Sequence, residues 1–280
     1  MMSDALPPGL YIVATPIGNL SDMSARAAAT LRGASLILAE DKRVTAKLLA
    51  HVAATAPMAV YHDHSSEAER NRILARLGRE AVALVSDAGT PLISDPGYKL
   101  VRAARAAGHA VHTIPGACAA IAALTLAGLP TDRFLFAGFL PAKAKARADT
   151  ISELGAIRAS LIFYESGPRL GEALAALVDG LGQRDAAVIR EISKLHEETV
   201  TGTLAELALR YADAPPKGEI VIVVGPPGEV DAASDEALDG ALREALETLT
   251  PSRAAAEVAT NLGIPRKRAY ARALALGAPG

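Results

Sequence analysis

Through its first half the chain alternates short apolar runs, rich in branched side chains, with segments of helical composition. The runs at residues 10–14, 36–39, 58–61, 81–85 and 110–114 have the length of buried strands. The segments near 24–32, 44–51, 67–77 and 98–107 carry the spacing of helices. Strand and helix in strict alternation predict a mostly parallel sheet covered on both faces, hence an α/β domain. In such a sheet ligands bind at the carboxyl ends of the strands. One strand end stands out. After Val82-Ala83-Leu84-Val85 comes Ser86-Asp87-Ala88-Gly89-Thr90-Pro91-Leu92-Ile93-Ser94-Asp95-Pro96-Gly97, which is longer and more polar than a strand-to-helix connection needs.

A second series follows the Ala-rich helix expected at 117–127 and the break at Gly128-Leu129-Pro130. Strands are expected at 134–140, 161–165, 187–192, 200–201 and 219–224, with helices near 149–154, 170–181 and 204–211. The runs at 187–192 and 200–201 have no helix between them, so this sheet is expected to contain antiparallel pairs. Gly225-Pro226-Pro227-Gly228 and the acidic stretch 229–239 read as a linker. Beyond it Thr250 is placed to cap a helix opened by Pro251, Gly263 to close it and Pro265 to open the next. The expected division is an α/β domain over 9–127, a second α/β domain with a mixed sheet over 128–226, and a helical appendage over 235–280. That appendage reads equally as a helix-turn-helix or as a helical hairpin capping the body.

Composition narrows the function. A net charge of −2 argues against a bulk electrostatic nucleic-acid binder while leaving room for local basic patches. The single cysteine, Cys118, excludes an internal disulfide framework and Cys-pair metal sites, which fits a reducing cytosol. No export segment is visible, and the longest uncharged apolar stretch, 117–129, is too short to span a bilayer. Dinucleotide, P-loop, hydrolase-elbow and zinc-protease motifs are absent from the sequence. His62-Asp63-His64 lacks further ligands nearby, so no metal is expected, and Cys118 reads as a small packed thiol.

Three turns, 15–20, 87–93 and 115–119, open on one edge of the sheet if its strands are parallel. Together they form a pocket for a nucleoside-like ligand. None carries the lysine or arginine expected around a polyphosphate. A ligand with sulfonium, amino acid and adenosine parts suits them better, with Ile17, Leu92 and Ile93 available to cover an adenine.

Six stretches carry a resemblance: Ala14-Thr15-Pro16-Ile17-Gly18-Asn19-Leu20, Ala39-Glu40-Asp41-Lys42-Arg43, His62-Asp63-His64, Ser86 through Gly97, Phe163-Tyr164-Glu165-Ser166, and Arg190-Glu191-Ile192-Ser193-Lys194. They resemble the bacterial ribosomal RNA small subunit methyltransferase I family, of the tetrapyrrole methylase fold (class III methyltransferases). The resemblance runs from Leu10 to Val224, and the C-terminal helices look like that family's helix-turn-helix appendage. Departures are Lys42 in place of Thr, Ala117 in place of Pro and Ser65 in place of Asn.

The resemblance implies a cytoplasmic enzyme that holds S-adenosylmethionine in the cleft between the two domains of a homodimer. It would methylate the ribose 2′-hydroxyl of a cytidine in small-subunit ribosomal RNA, naked or in the assembled small ribosomal subunit. By position, Gly89, Thr90, Pro91, Leu92, Ile93, Gly116, Ala117, Cys118, Tyr164, Glu219 and Ile220 would line the cofactor, with Thr15, Gly18 and Asn19 at the cleft floor. A 2′-hydroxyl is a weak acid, so a general base helps, and Asp41, His64, Glu165 and Glu191 are unranked candidates. Asp87 and Asp95 read instead as residues that shape their loop. Arg43, Arg190, Lys194, the cluster Lys143, Lys145 and Arg147, and on the appendage Arg266, Lys267 and Arg268, are candidates for RNA contact. Two other readings keep part of this picture: a methylase of the same fold acting on a tetrapyrrole or other small molecule, and a non-catalytic RNA-binding protein.

Overall fold

Strands β1 (Gly9–Val13), β2 (Leu36–Ala39) and β4 (Ala81–Leu84) are buried along their whole length. That is what continuous apolar runs require of a sheet packed on both faces. In the computed structural model, which describes residues 6–228, 235–262, 264 and 266–276, they join β3 (Met58–Val60) and β5 (Val111–Ile114) in an all-parallel sheet of order β3-β2-β4-β1-β5. Helices α1 (Ala25–Gly33) and α2 (Lys42–His51) bury Ala27, Leu31, Leu48 and Leu49 against one face. On the other face α3 (Glu67–Leu77) and α4 (Tyr98–Ala106) bury Ile73, Leu77, Leu100 and Ala104. β1 and β4 are neighbours whose connections leave in opposite directions, β1 toward β2 and β4 toward β5. Their carboxyl ends therefore flank the switch point at which an open α/β sheet forms its crevice.

The second sheet has the order β6-β7-β10-β8-β9, made of β6 (Phe134–Phe139), β7 (Ser160–Ser166), β8 (Asp185–Arg190), β9 (Glu198–Thr203) and β10 (Glu219–Val224). Only the β6–β7 pair is parallel; β7–β10, β10–β8 and β8–β9 are antiparallel. The two-residue period of β10 is plain in its packing. Ile220, Ile222 and Val224 meet helices α6 (Ala144–Gly155), α7 (Leu170–Leu181) and α8 (Leu204–Tyr211), while Val221 and Val223 meet α5 (Ala119–Leu126). Burying an Ile or Val side chain in this way is worth about 1.5–3 kcal/mol.

Several boundaries differ from the sequence expectation for local reasons. α2 starts at Lys42 because the Asp41 carboxylate accepts from the Arg43 amide and caps it. α6 starts at Ala144, well before 149, and β9 spans six residues where two were expected. β8 ends at Arg190, because Glu191 turns to φ +53°. α5 packs on the second sheet, so by packing it goes with that sheet although sequence reading grouped it with the first domain. Residues 229–234 of the expected linker lie outside the described residues, and Asp235–Leu246 is helix α9.

The chain falls into two compact units, Met1–Gly225, which holds both sheets, and Pro226–Gly280. The second unit contains α9, α10 (Pro251–Asn261) and α11 (Arg266–Leu276), gathered on Leu238, Leu242, Ala255, Val258, Ile264, Ala269 and Ala273. Pro251 opens α10 as expected; Gly263 and Pro265 lie outside the described residues.

Candidate active site

Inside the first unit, the carboxyl ends of β1 and β4 meet the inner face of the second sheet around a cavity of about 290 Å³. Its wall includes Ile17, Gly89, Thr90, Ile93, Ser94, Asp95, Cys118, Phe139, Tyr164, Glu165, Ile192, Glu219, Ile220 and Val221. The loop after β4, residues 85–97, forms one side. Thr15 and Gly89 exchange backbone hydrogen bonds of 2.8 and 3.1 Å, tying the turn after β1 to this loop. Thr90 Oγ1 donates to the Ala117 carbonyl at 2.9 Å and ties in the turn after β5. The Gly97 amide donates to Asp63 Oδ1 at 3.0 Å, and the Lys99 ammonium to the Asp63 carbonyl at 3.0 Å. Asp63 of the His62-Asp63-His64 stretch thus braces the loop. The Asp41 amide donates to Asp87 Oδ1, so Asp87 does shape the loop.

Gly89 has φ +79°, and a Cβ there would stand 3.2 Å from Ile17. Leu92 and Ser94 also adopt positive φ, at +75° and +62°. For non-glycine residues such geometry costs about 1–3 kcal/mol each and persists where surrounding bonds enforce it. Here the ties to Thr15, Ala117 and Asp63 do so. Gly116 backs onto Ala14, where a Cβ would meet the Ala14 methyl at 2.9 Å.

Across the cavity, the Tyr164 hydroxyl accepts from the Ala120 amide at 3.1 Å, and its ring meets Phe136 and Phe139 edge-on at 4.8 and 5.7 Å. Burial raises the Tyr164 phenol above its ordinary range. The loop between β8 and β9 closes a third side. Lys194 lies over Gly18, where any Cβ would collide with its side chain, Ser193 bonds to Asp22, and Ile192 faces the cavity.

Three carboxylates line the cavity, and they differ sharply. Glu165 is buried with Oε1 accepting from the Ser166 amide at 2.8 Å and Oε2 3.4 Å from the Arg169 guanidinium. Glu219 takes the Lys194 ammonium at 2.9 Å. Asp95 stands in no ion pair among the described residues. Burial pushes it up to about 6, with Glu40 and Asp87 adding to the rise and a Ser86 hydrogen bond opposing it.

The other base candidates lie elsewhere. Asp41 is paired with Arg43 at 2.6 Å, and that guanidinium holds its carboxyl down at about 2. Glu191 accepts from Lys194 and from the Glu219 amide and is likewise lowered. His64 is exposed and outside the cavity wall. Sequence reading had treated Asp95 as a loop-shaping residue; the signal in favour of a chemical role is its burial among like charges, which sequence does not carry.

Of the expected cofactor residues, Gly89, Thr90, Ile93, Cys118, Tyr164, Glu219 and Ile220 line the cavity. Thr15, Gly116 and Ala117 stand behind them as backing. Gly18 lies under Lys194, Asn19 caps a short helical turn, Leu92 packs on the core of the first sheet, and Pro91 is not part of the wall. Ser94, Phe139 and Val221 also line the cavity, where sequence did not point to them.

The RNA candidates are largely committed to other contacts. Arg147 is 5% exposed, pairs with Glu172 at 2.5 Å and donates to the Pro141 and Ala142 carbonyls, so it holds α6 rather than facing solvent. Arg190 pairs with Glu198 and Lys194 with Glu191 and Glu219. In the second unit Arg268 pairs with Asp235, Arg272 with Asp239, and Arg266 donates to Ser252. Lys143, Lys145 and Lys267 are exposed.

Residues 9–208 match the model of the Tetrapyrrole (Corrin/Porphyrin) Methylases, and residues 232–277 match that of the RsmI C-terminal HTH domain. Among curated proteins, the chain is 56% identical over 274 residues to the ribosomal RNA small subunit methyltransferase I of Erythrobacter litoralis, covering 98% of this chain and 97% of that one. It is 47% identical to the protein of the same name from Mesorhizobium japonicum, covering 97% and 93%. Among solved structures, diphthine synthase superposes with a TM-score of 0.61 at 16% identity over 77% of this chain and 89% of that one. A uroporphyrin-III C-methyl transferase from Thermus thermophilus, complexed with S-adenyl homocysteine, gives 0.53 at 21% over 78% and 97%. At these identities the superpositions bear on the fold alone. Among the described residues no helix is long and apolar enough to cross a membrane, and no three metal-ligating side chains gather.

Proposed function

Since the chain belongs to the ribosomal RNA small subunit methyltransferase I family of the tetrapyrrole methylases, we propose that its cavity binds S-adenosylmethionine and methylates the ribose 2′-hydroxyl of a cytidine in small-subunit ribosomal RNA. The observation that carries this reading is the chemistry of the wall. It holds three carboxylates and neither lysine nor arginine, which suits a sulfonium and repels a polyphosphate. Gly89 keeps a side chain out of the wall beside Ile17, Gly116 lets the turn behind the wall pack on Ala14, and Ile17, Ile93, Ile220 and Val221 offer an apolar bed for an adenine.

When bound, S-adenosylmethionine supplies an electrophilic methyl group on a cationic sulfur. The chain's residues supply placement and a proton acceptor. The braced loop 85–97 and the β8–β9 loop would hold the two reacting groups and exclude water, so charge would be cancelled in a dry site. Asp95 would accept the proton that the 2′-hydroxyl gives up when the methyl group passes from sulfur to oxygen, the sulfur leaving as a neutral thioether. With its carboxyl near 6 it is ionised at neutral pH yet remains a useful base. Glu165 serves as a fixed carboxyl, Oε1 accepting from the Ser166 amide and Oε2 standing 3.4 Å from the Arg169 guanidinium.

The reading extends to a homodimer acting on the assembled small subunit, with Lys143, Lys145 and Lys267 as exposed phosphate contacts. Incubation with labelled S-adenosylmethionine and unmethylated small subunits is expected to place label on a single ribose. Label on a base, or none, would sink the proposal.

A further inference from the structure

Phe139 is a large apolar side chain left 56% exposed on the cavity wall, and its orientation is built in rather than incidental. Along β6 the alternation of a regular strand puts Leu135 and Ala137 on the face covered by α6 to α8, and Phe136 on the face of Tyr164. Continued by twos, that pattern would send Phe139 to the helix-covered face. It does not go there. Phe136 lies opposite Ile162 and Gly138 opposite Phe163, which leaves Ala137 as an extra residue, and the register shifts. Phe139 then falls opposite Tyr164, with the two rings edge-to-face. A bulge of this kind re-aims a side chain at the cost of ladder bonds.

The bulge rests on Gly138 at φ +67°, where a Cβ would stand 3.3 Å from Ser94 Oγ. Ser94 itself has positive φ. Two unusual backbone conformations thus meet from opposite sides of the cleft, and the residues that follow them, Asp95 and Phe139, both face the cavity. Deeper in the wall are Ile17, Cys118, Ile220 and Val221, while the Phe139 ring sits at the solvent edge.

We infer that Phe139 is the stacking platform for the base of the acceptor nucleotide, a specificity-determining residue for the methyl-transfer reaction. The inference rests on the proposed function. An acceptor ribose with its 2′-hydroxyl at Asp95 places its base one nucleoside's width away, at the rim. Recognition of a nucleotide in RNA favours unstacked bases laid on aromatic faces. Phe139 offers such a face with its edge-on neighbour Tyr164 fixing the ring.

Methyl transfer to small subunits tests this in four variants: Phe139→Ala, Phe139→Leu, Phe139→Tyr and Phe139→Trp. A base stacked on an aromatic ring predicts that Ala and Leu lose about 10–100-fold in kcat/KM, mainly through a raised KM for subunits. Tyr and Trp stay within a few-fold of the parent, and S-adenosylhomocysteine affinity is unchanged throughout. Rescue by Leu would mean that the ring only fills space and would overturn the inference. An unchanged KM in Phe139→Ala would do the same. The chain contains no tryptophan, so Phe139→Trp adds a lone fluorophore; quenching by S-adenosylhomocysteine alone would reassign the ring to the cofactor's adenine. If the parent protein methylates no subunits, the proposed function fails. If the parent is active and Phe139→Ala equals it, only the stacking role fails.

Discussion

At the residue scale, Asp95 ties reactivity and stability to pH with opposite signs. Its folded carboxyl, near 6, lies above the ordinary value of 3.8, so the fold favours the protonated form. The ionised side chain opposes folding above pH 6, and that opposition fades as pH falls from about 6 toward 4. Asp95→Asn is therefore expected to raise the melting temperature at pH 7.5, with the gain shrinking by pH 5. Its methyl transfer is expected to fall by about 10²–10⁴-fold, the usual worth of a general base, while affinity for S-adenosylhomocysteine, whose sulfur carries no charge, is retained. In the parent protein kcat should decline as pH drops through 6; a flat profile there would remove Asp95 from the chemistry. Glycine makes a second prediction. Gly89→Val puts a branched side chain at φ +79° against Ile17. A strain of about 1–3 kcal/mol is expected as lost stability in chemical denaturation, and the side chain added on the cavity wall is expected to weaken S-adenosylhomocysteine binding, measured by calorimetry. The importance of residues 86–97 was legible from their length and polarity. The division of labour between Asp87 and Asp95 was not, because it depends on which carboxylate meets the Asp41 amide and which is left in the cavity.

At the scale of elements, strand and helix order followed from apolar periodicity, and the antiparallel β8–β9 pair from the missing helix between its runs. What periodicity concealed was the inserted residue in β6, since a bulge changes the parity of every later side chain without changing composition. Salt bridges were hidden for a related reason: a run of basic residues shows charge but not partners. Lys194 illustrates this. It stood as an RNA contact, yet it bridges Glu191 and Glu219 and covers Gly18. Lys194→Ala should loosen the β8–β9 loop and raise the cofactor Kd several-fold. Global stability should change by about 1 kcal/mol, since the pair is partly exposed and screened by solvent. By contrast, Thr203→Ala removes the capping box with Glu206 that opens α8. It should cost about 1 kcal/mol in chemical denaturation and leave methyl transfer unaltered.

For the whole molecule, a net charge of −2 and paired arginines imply that phosphate contacts are few. With about three exposed lysines engaged, log K for small subunits is expected to fall against log salt with a slope near −2. A slope beyond about −5 would show that the paired arginines are released to the RNA. Lys267→Glu should weaken subunit binding and make that slope shallower, while cofactor affinity stays the same.

The order of the second sheet carries one more consequence, for how the protein comes into being on the ribosome. β10 is the last strand in sequence but lies in the middle of the sheet, bonded to β7 on one side and β8 on the other. Glu219, Ile220 and Val221 of that strand are part of the cavity wall. During synthesis the parallel sheet has all its strands early, but β7 and β8 wait, unjoined, until residues 219–224 leave the exit tunnel. A nascent chain halted before them has no finished cavity. Methylating competence thus arrives late and all at once, and cofactor that binds the completed cleft also acts as a latch on the final strand.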